Sequence, residues 1–311
     1  IHLPFRRASS SRTLKACPGI GFRGASITWG DNMAVHDFFI PRGVFYGPGA
    51  LARLGTEAAR LGRKALVVTG SASLRGGGGL GRVLGGLREN GVAALLFEGV
   101  EADPSTEPVD RGTKEALAAG CDMVVAVGGG SALDAGKAIA GVATNGGPAR
   151  DYLHGKEIER PPLPCVAVPT TAGTGSEVTK NAVITDRAEG VKRSIRHRLL
   201  IPAAAVVDPE LTYTLPPAVT AATGMDALAQ LIEPYVSRRS TPLTDALALH
   251  GIALDGRCLA RAVRDGRDAG GSTPSGTPSC SVPRSRASAR TPASPRAATS
   301  SWRRRSAPRT T

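Results

Sequence analysis

Long apolar runs are missing from this 311-residue chain. None approaches the ~18 residues of a membrane span, so no spanning helix is expected. Cysteine is sparse as well. The five cysteines, at 17, 121, 165, 258 and 280, are odd in number and scattered, which argues against a disulfide framework and suits a reducing cytoplasm. Cys121 and Cys165 lie in or beside apolar runs and read as small core residues. Aromatics are only 4% of the chain, too few to interleave with basic residues as a base-stacking platform requires. The nearest approach to one is Trp302 beside Arg303–Arg305. Acids, finally, are nearly absent from both ends. Residues 1–32 hold five basic residues and one acid, and residues 269–311 hold eight Arg and no acid. The net charge of +13 therefore sits in the ends, and 33–268 carries only +1. A basic stripe on a folded face is not indicated, and a nucleic-acid partner is not expected.

What is present begins with glycine. Met123–Val127 is a short continuous apolar run, as expected of a strand buried on both faces. Gly128, Gly129 and Gly130 follow, and Ala132–Ala140 reads as a helix rich in small residues. Strand, glycine turn and helix start aim backbone N–H groups and the positive helix end at a phosphate. Side chains larger than Gly would hold a pyrophosphate away from those donors. Ser131 can cap the helix and donate a hydroxyl. The turn is not the G-x-G-x-x-G fingerprint, because Leu133 stands where the third Gly would be, and alone it is equally a tight turn.

A second loop follows a second buried-strand pattern, Val166–Val168. Pro169 ends the strand, and Thr170-Thr171-Ala172-Gly173-Thr174-Gly175-Ser176-Glu177 supplies hydroxyls and open amides suited to a diphosphate and an amide. Two such loops in order, each after a buried strand, favour phosphate binding over two ordinary turns. A third segment, Thr223-Gly224-Met225-Asp226-Ala227-Leu228, sets a carboxylate into a helical pattern.

With these segments the chain resembles the iron-containing (group III) alcohol dehydrogenase family, in the wider group of glycerol dehydrogenase and dehydroquinate synthase. The resemblance runs from about Phe38 to about Gly266. It also takes in Phe45–Leu51, Lys64–Thr69, Val207–Thr212, Leu215–Pro217 and Glu233–Ser237. It implies an N-terminal α/β nucleotide domain, an all-helical second domain, and a nicotinamide cofactor with a divalent metal, iron or zinc, between them. It implies hydride transfer between the nicotinamide and an alcohol or carbonyl of small size. By matched position it places Asp134, Thr170, Thr171 and Thr174 near the cofactor, with Gly128, Gly129, Gly130 and Ser131 on the pyrophosphate. Lys192 matches a lysine near the reacting centre, although a solvated charge in the run Lys192–Arg198 is the plainer alternative.

The family's metal ligands are an Asp, a His four residues later and two further His. Asp226 matches the first, but the i+4 position is Gln230, on the same helical face and a poorer ligand than imidazole. The later His250 reads as a surface or packing residue. From about Gly266 the pattern gives way to Pro, Ser, Ala and Arg with no apolar periodicity. A reading frame lost or altered near Asp265–Ala269 is expected, with a basic disordered tail as the alternative. Residues ahead of Met33 read as translated upstream sequence rather than a presequence.

The expected fold is α/β, a doubly wound, mostly parallel, Rossmann-like sheet followed by the start of an all-α domain. Expected strands are 64–69, 93–97, 123–127, 165–168 and 204–207, with helices at 50–61, 80–90, 106–119 and 131–143 and a helical stretch over 212–259. The domains expected are a basic extension 1–32, a dinucleotide domain 33–210, a partial metal and substrate domain 211–266, and a tail 267–311. Asp208 reads as a structural Asx-Pro turn. After Thr69 no carboxylate is available for a ribose 2′-hydroxyl, while Ser71, Ser73 and Arg75 suit a 2′-phosphate. NADP(H) should therefore be accepted at least as well as NAD(H). The alternative to an active dehydrogenase is an inactive family member that retains dinucleotide binding. A homodimer is possible under either reading.

Overall fold

A computed structural model describes residues 37–70 and 78–267. The extension 1–32, the tail from 268 onward and the Ser71–Arg75 stretch lie outside the described residues. The architecture belongs to one compact unit that begins at Ile40.

Six strands make one sheet: β1 Gly43–Tyr46, β2 Lys64–Gly70, β3 Ala93–Val100, β4 Met123–Gly128, β5 Cys165–Pro169 and β8 Ala204–Val207. Their order is β1-β8-β5-β4-β2-β3, and every pairing is parallel. The continuous Val and Ala runs are what a doubly covered sheet requires, since both side-chain sets of the inner strands β2, β4, β5 and β8 are buried, while the edge strands β1 and β3 are partly exposed. In β4, Val124 and Ala126 face one core and Met123, Val125 and Val127 the other. The first core is closed by α3 Thr106–Ala118, α4 Gly130–Asn145 and α5 Ala149–Leu153, the second by α1 Leu54–Ala59 and α2 Gly79–Glu89. Gly136 lets α4 settle onto the sheet, because a Cβ there would lie 2.5 Å from the Ala126 Cβ.

Parallel strands put all their carboxyl ends on one edge. From β2 the chain runs outward to β3 and then crosses back to β4 on the other side of β2. The reversal opens a crevice at the carboxyl ends of β2 and β4, the usual ligand position in open α/β sheets. The loops after β3, β4 and β5 all emerge along this edge.

β1 and α5 were not among the expected elements, and two further features differ from the sequence expectation. The helix expected at 50–61 is a 3-10 turn, Ala50–Arg53, followed by the short α1. It stops because Leu61 and Gly62 bond back to the Ala58 carbonyl and the Asp122 carboxylate accepts the N–H groups of Arg63 and Lys64, at 2.8 Å each, turning the chain into β2. The second feature is an antiparallel hairpin not foreseen at all, β6 Asn181–Asp186 with β7 Val191–Arg196. Its alternation of buried Ala182 and Ile184 with half-buried neighbours, and Gly190 at φ +66°, were the available signals.

Asp208 is 1% exposed and accepts N–H groups from Gly49 (3.2 Å), Leu51 (3.0 Å) and Glu210 (3.0 Å). It thus ties the end of β8 to the turn after β1, the structural role its Asx-Pro context suggests.

The helical stretch resolves into α6 Pro217–Val236 and α7 Pro242–Arg264. Pro234 lies in the last turn of α6, Pro242 begins α7, and Thr241 with Thr244 forms a reciprocal capping box. The two helices meet through paired glycine–leucine contacts, Gly224 on Leu259 and Gly251 on Leu231. Met225, Ile232, Val236, Leu243 and Leu249 remain exposed. Among the described residues no helix is long and apolar enough to cross a membrane.

Candidate functional site

The glycine turn lies where β4 passes into α4. Gly128 has φ +152°, and a Cβ there would come within 2.7 Å of the Ala132 Cβ, so only Gly fits. Gly129 is the N-cap of α4 and supplies no side-chain acceptor. The first intrahelical bond runs from the Leu133 N–H to the Gly129 carbonyl at 3.2 Å. The N–H groups of Gly130, Ser131 and Ala132 precede it and point out of the helix end, where the helix dipole adds its positive pole.

The second loop lies directly across this turn. A Cβ on Gly129 would sit 3.4 Å from the Thr171 methyl, and one on Gly130 would sit 2.6 Å from the Thr174 methyl. The loop is tied down at its entrance by the Thr170 N–H, which donates to the Gly128 carbonyl at 2.9 Å. Its far side rests on α6, where a Cβ on Gly173 would lie 2.9 Å from the Thr223 Cβ. Gly128, Gly129, Gly130, Ser131, Thr170, Thr171 and Thr174 are therefore brought together, with Thr174 the most open to solvent.

Asp134 stands one turn behind. Its carboxylate accepts the Ser176 hydroxyl at 2.5 Å and the Val183 N–H at 3.1 Å, and pairs with the Lys137 ammonium at 3.1 Å. Its acceptors face the protein rather than the crevice. Lys137 itself is fully buried, and burial lowers the pKa of its ammonium while Asp134 opposes the fall. Glu177 is buried close by, and desolvation pushes its carboxyl up to about 7. Burial likewise pushes the Cys165 thiol up to about 12, which marks it as an inert core residue. Neither Lys137 nor Glu177 was picked out from the sequence, although a lysine in Ala135-Gly-Lys-Ala-Ile139 was a visible irregularity in an apolar helix face.

Lys192 is exposed on β7, and its ammonium meets the Asp103 carboxylate at 2.5 Å. Asp103, in the loop after β3, has φ +53° and gives its N–H to the Ser131 hydroxyl at 3.2 Å. Lys192 thus reaches the glycine turn through one intermediary. Asp226 and Gln230 are exposed on α6, and the Gln230 amide nitrogen donates to Asp226 at 2.8 Å and to the Gly173 carbonyl at 3.3 Å. Among the described residues no contact joins this pair to Lys192.

A catalytic metal needs about three protein ligands and an open position. At Asp226 the described residues supply one carboxylate and an amide that presents its N–H groups to it, a donor set that does not fit iron or zinc. His250 is exposed on α7. The one group of three potential ligands among the described residues is His154, Asp186 and Glu189, within 4.8 Å of one another. It belongs to α5 and the hairpin, and Arg150 already donates to Asp186 (2.8 Å) and Glu189 (3.0 Å). This is a salt-bridge cluster whose carboxylates are taken.

A fully parallel sheet with a reversal at β2/β4, an uncapped helix end at that reversal and a hydroxyl-rich loop packed over it define a doubly wound α/β protein of the nucleotide-binding kind. Residues 41–209 match the family model for iron-containing alcohol dehydrogenase, and 220–272 match the C-terminal model of the same family. The chain belongs to the iron-containing alcohol dehydrogenase family. It is 42% identical over 233 residues to the NAD-dependent methanol dehydrogenase of Bacillus methanolicus, covering 75% of this chain and 61% of that protein. To alcohol dehydrogenase 4 of Schizosaccharomyces pombe it is 39% identical, covering 76% of this chain and 56% of the relative. Among solved structures, a 1,3-propanediol oxidoreductase superposes with a TM-score of 0.75 at 39% identity, over 78% of this chain and 64% of the other. A sulfoacetaldehyde reductase from Bifidobacterium kashiwanohense, solved with NAD+, gives 0.71 at 34% identity over 76% and 62%. The chain thus spans about three fifths of the length of the curated relatives it matches.

Proposed function

We propose that this chain is the dinucleotide-binding part, with the first helices of the second domain, of an NAD(P)-dependent alcohol dehydrogenase. The observation that carries the reading is the apposition of the uncapped α4 end at Gly129–Ser131 with Thr170–Thr174 at the carboxyl edge of the sheet. Two relatives, an NAD-dependent methanol dehydrogenase and a sulfoacetaldehyde reductase solved with NAD+, agree with it.

In this reading the pyrophosphate oxygens accept the free N–H groups of the α4 end and the Ser131 hydroxyl. Thr170, Thr171 and Thr174 line the cofactor from the other side, with Asp134 behind them. The adenosine end extends toward β2; in sequence no carboxylate follows Thr69, while Ser71, Ser73 and Arg75 suit a 2′-phosphate, so NADP(H) is taken at least as well as NAD(H). Lys192 is the cation assigned to the reacting centre, held at rest by Asp103. The reaction is hydride transfer from the alcohol carbon to the nicotinamide C4, with the hydroxyl proton leaving to solvent, and its reverse. The chain's part is to orient the cofactor and shield it from water. The substrate is a small alcohol or aldehyde. A homodimer in the cytoplasm completes the reading. The free Cys121, Cys165 and Cys258 support the compartment, and the exposed apolar face of α6 supports self-association. The domain limits 33–210 and 211–266 are part of the same proposal.

The test is a fluorescence titration of the 311-residue chain with NADH and NADPH. Saturable binding of both is expected, with NADPH at least as tight. Gly129→Val should abolish it, because the valine branches occupy the space in front of Thr171 that the pyrophosphate needs. Equal binding by wild type and variant sinks the loop assignment. Metal analysis of the same sample should find iron and zinc well below one per chain, and stoichiometric metal would contradict the donor-set argument at Asp226.

A further inference from the structure

Lys137 is a buried charge that the proposed chemistry does not use. Its side chain is 0% exposed, and its ammonium is bonded at the exit of the second loop and the start of β6. A buried ammonium is costly unless each of its N–H groups is matched. Here the partners are the Ser176 carbonyl at 2.9 Å, the Asn181 carbonyl, the Asp134 carboxylate at 3.1 Å and, more distantly, the Thr179 hydroxyl at 3.5 Å. Only Asp134 belongs to α4 itself. All except Asp134 lie in the stretch where the second loop leaves the crevice and enters β6. Asp134, one turn earlier on the same helix face, holds the same stretch through the Ser176 hydroxyl and the Val183 N–H.

The second loop is therefore fixed twice to a single segment. Its entrance is bonded to Gly128 through Thr170, and its exit is bonded to Asp134 and Lys137 through Ser176. Gly128 begins the turn that carries the first loop, and Asp134 and Lys137 lie in the helix that follows it. Between these two fixed ends, Thr171 and Thr174 stand in van der Waals contact distance of Gly129 and Gly130. The spacing between the two loops is thus set from behind, by a buried ion pair, rather than by the contacts in the crevice itself.

We propose that Lys137 and Asp134 act as a positioning pair that sets the second loop over the glycine turn and so governs affinity for the nicotinamide half of the dinucleotide. The half is chosen by topology. The loop lies between the turn and α6, on the β5 side of β4, whereas the adenosine side is the β2 side. Burial lowers the pKa of this ammonium, and the Asp134 carboxylate beside it opposes the fall.

This assignment rests on the dinucleotide reading, so two probes are needed. ADP reports the glycine turn and the adenosine side, and NADH reports the whole cleft. Both are titrated into the full chain, wild type and Lys137→Met, with thermal unfolding recorded for each. Wild type should bind both. Lys137→Met should bind NADH about tenfold more weakly, since more than one directed bond to the loop is lost, while ADP affinity stays within about twofold. Ser176→Ala removes the loop's own hydroxyl bond to Asp134 without leaving a buried charge, and should show the same selective loss, about threefold. It carries the test if Lys137→Met fails to fold. Equal weakening of ADP and NADH in Ser176→Ala, or no change in either, overturns the proposal and leaves the pair merely structural. If wild type binds neither probe, the dinucleotide reading falls and the positioning role with it.

Discussion

The α/β half and the α6–α7 pair are built on opposite terms. In the first, the four inner strands of a six-stranded parallel sheet are buried on both faces and two cores are filled by alternate residues of the same strands. Its inward charged groups Asp208, Asp134 and Lys137 are each matched by several partners, and among the described residues of this half the only buried side-chain polar atom with no hydrogen-bond partner is the Thr113 hydroxyl. In the second, two helices share one seam. Much of their apolar surface is exposed, Val236 at 70% and Met225 at 56%. Asp255, at the seam, keeps a buried carboxylate oxygen with no hydrogen-bond partner, beside a cavity of about 30 Å³. The contrast teaches that family membership along a sequence does not distribute stability evenly. A helix pair with one contact face has little to offset the cost of ordering, whereas a doubly covered sheet has two.

Substitution at one close-packed glycine in each half separates the halves most sharply. Gly136→Val drives a branched side chain into Ala126, across the tightest helix–sheet contact. Overpacking of this kind costs about 3 kcal/mol, and here it should lower the urea midpoint of the whole α/β unit and abolish dinucleotide binding together. A variant that lost neither would mean that α4 can ride higher on the sheet. Gly224→Leu acts on the other half. The added side chain meets Leu259, where a Cβ alone would already lie 2.2 Å away. Hydrogen exchange over α7 should lose protection by about 2 kcal/mol, while binding of ADP persists. Loss of ADP binding would show that the seam supports the crevice as well as itself.

The smallest effect concerns Asp255. Burial raises its pKa, so the folded helix pair favours the protonated form more than the unfolded chain does. Its contribution to stability is then fully present below the unfolded pKa and is lost as pH rises through the higher folded value. Asp255→Asn should remove this slope and stabilise the pair by about 1 kcal/mol at neutral pH, because no charge is left without a partner. Urea melts monitored on α7 at acidic and neutral pH check this, and an unchanged slope would place the titration elsewhere.

Much of the fold could be read from residues alone. Strands at 123–127, 165–168 and 204–207 declared themselves by unbroken apolar runs, and the glycine turn by its place between a strand and a helix. The hairpin was missed because its alternation is short and half of its second strand, Val191–Arg196, is basic. Helix 50–61 was overextended because the bonds that stop it come from Asp122, sixty residues away in the chain, and no local rule contains them.

What the sequence by itself determined is the kind of layer and the kind of loop. Apolar periodicity decides which segments can be buried on two faces, and glycine decides where backbone amides can approach a phosphate, and both are properties of neighbours along the chain. The tertiary structure alone decided which side chains are left free to act. Asp134 could serve a ligand or the protein, and the choice fell to Ser176 and Val183, more than forty residues on, which came within hydrogen-bonding distance only when β6 packed beside α4. Lys137 was made a joint between two loops for the same reason, since a buried charge takes its role from whatever partners the fold brings to it.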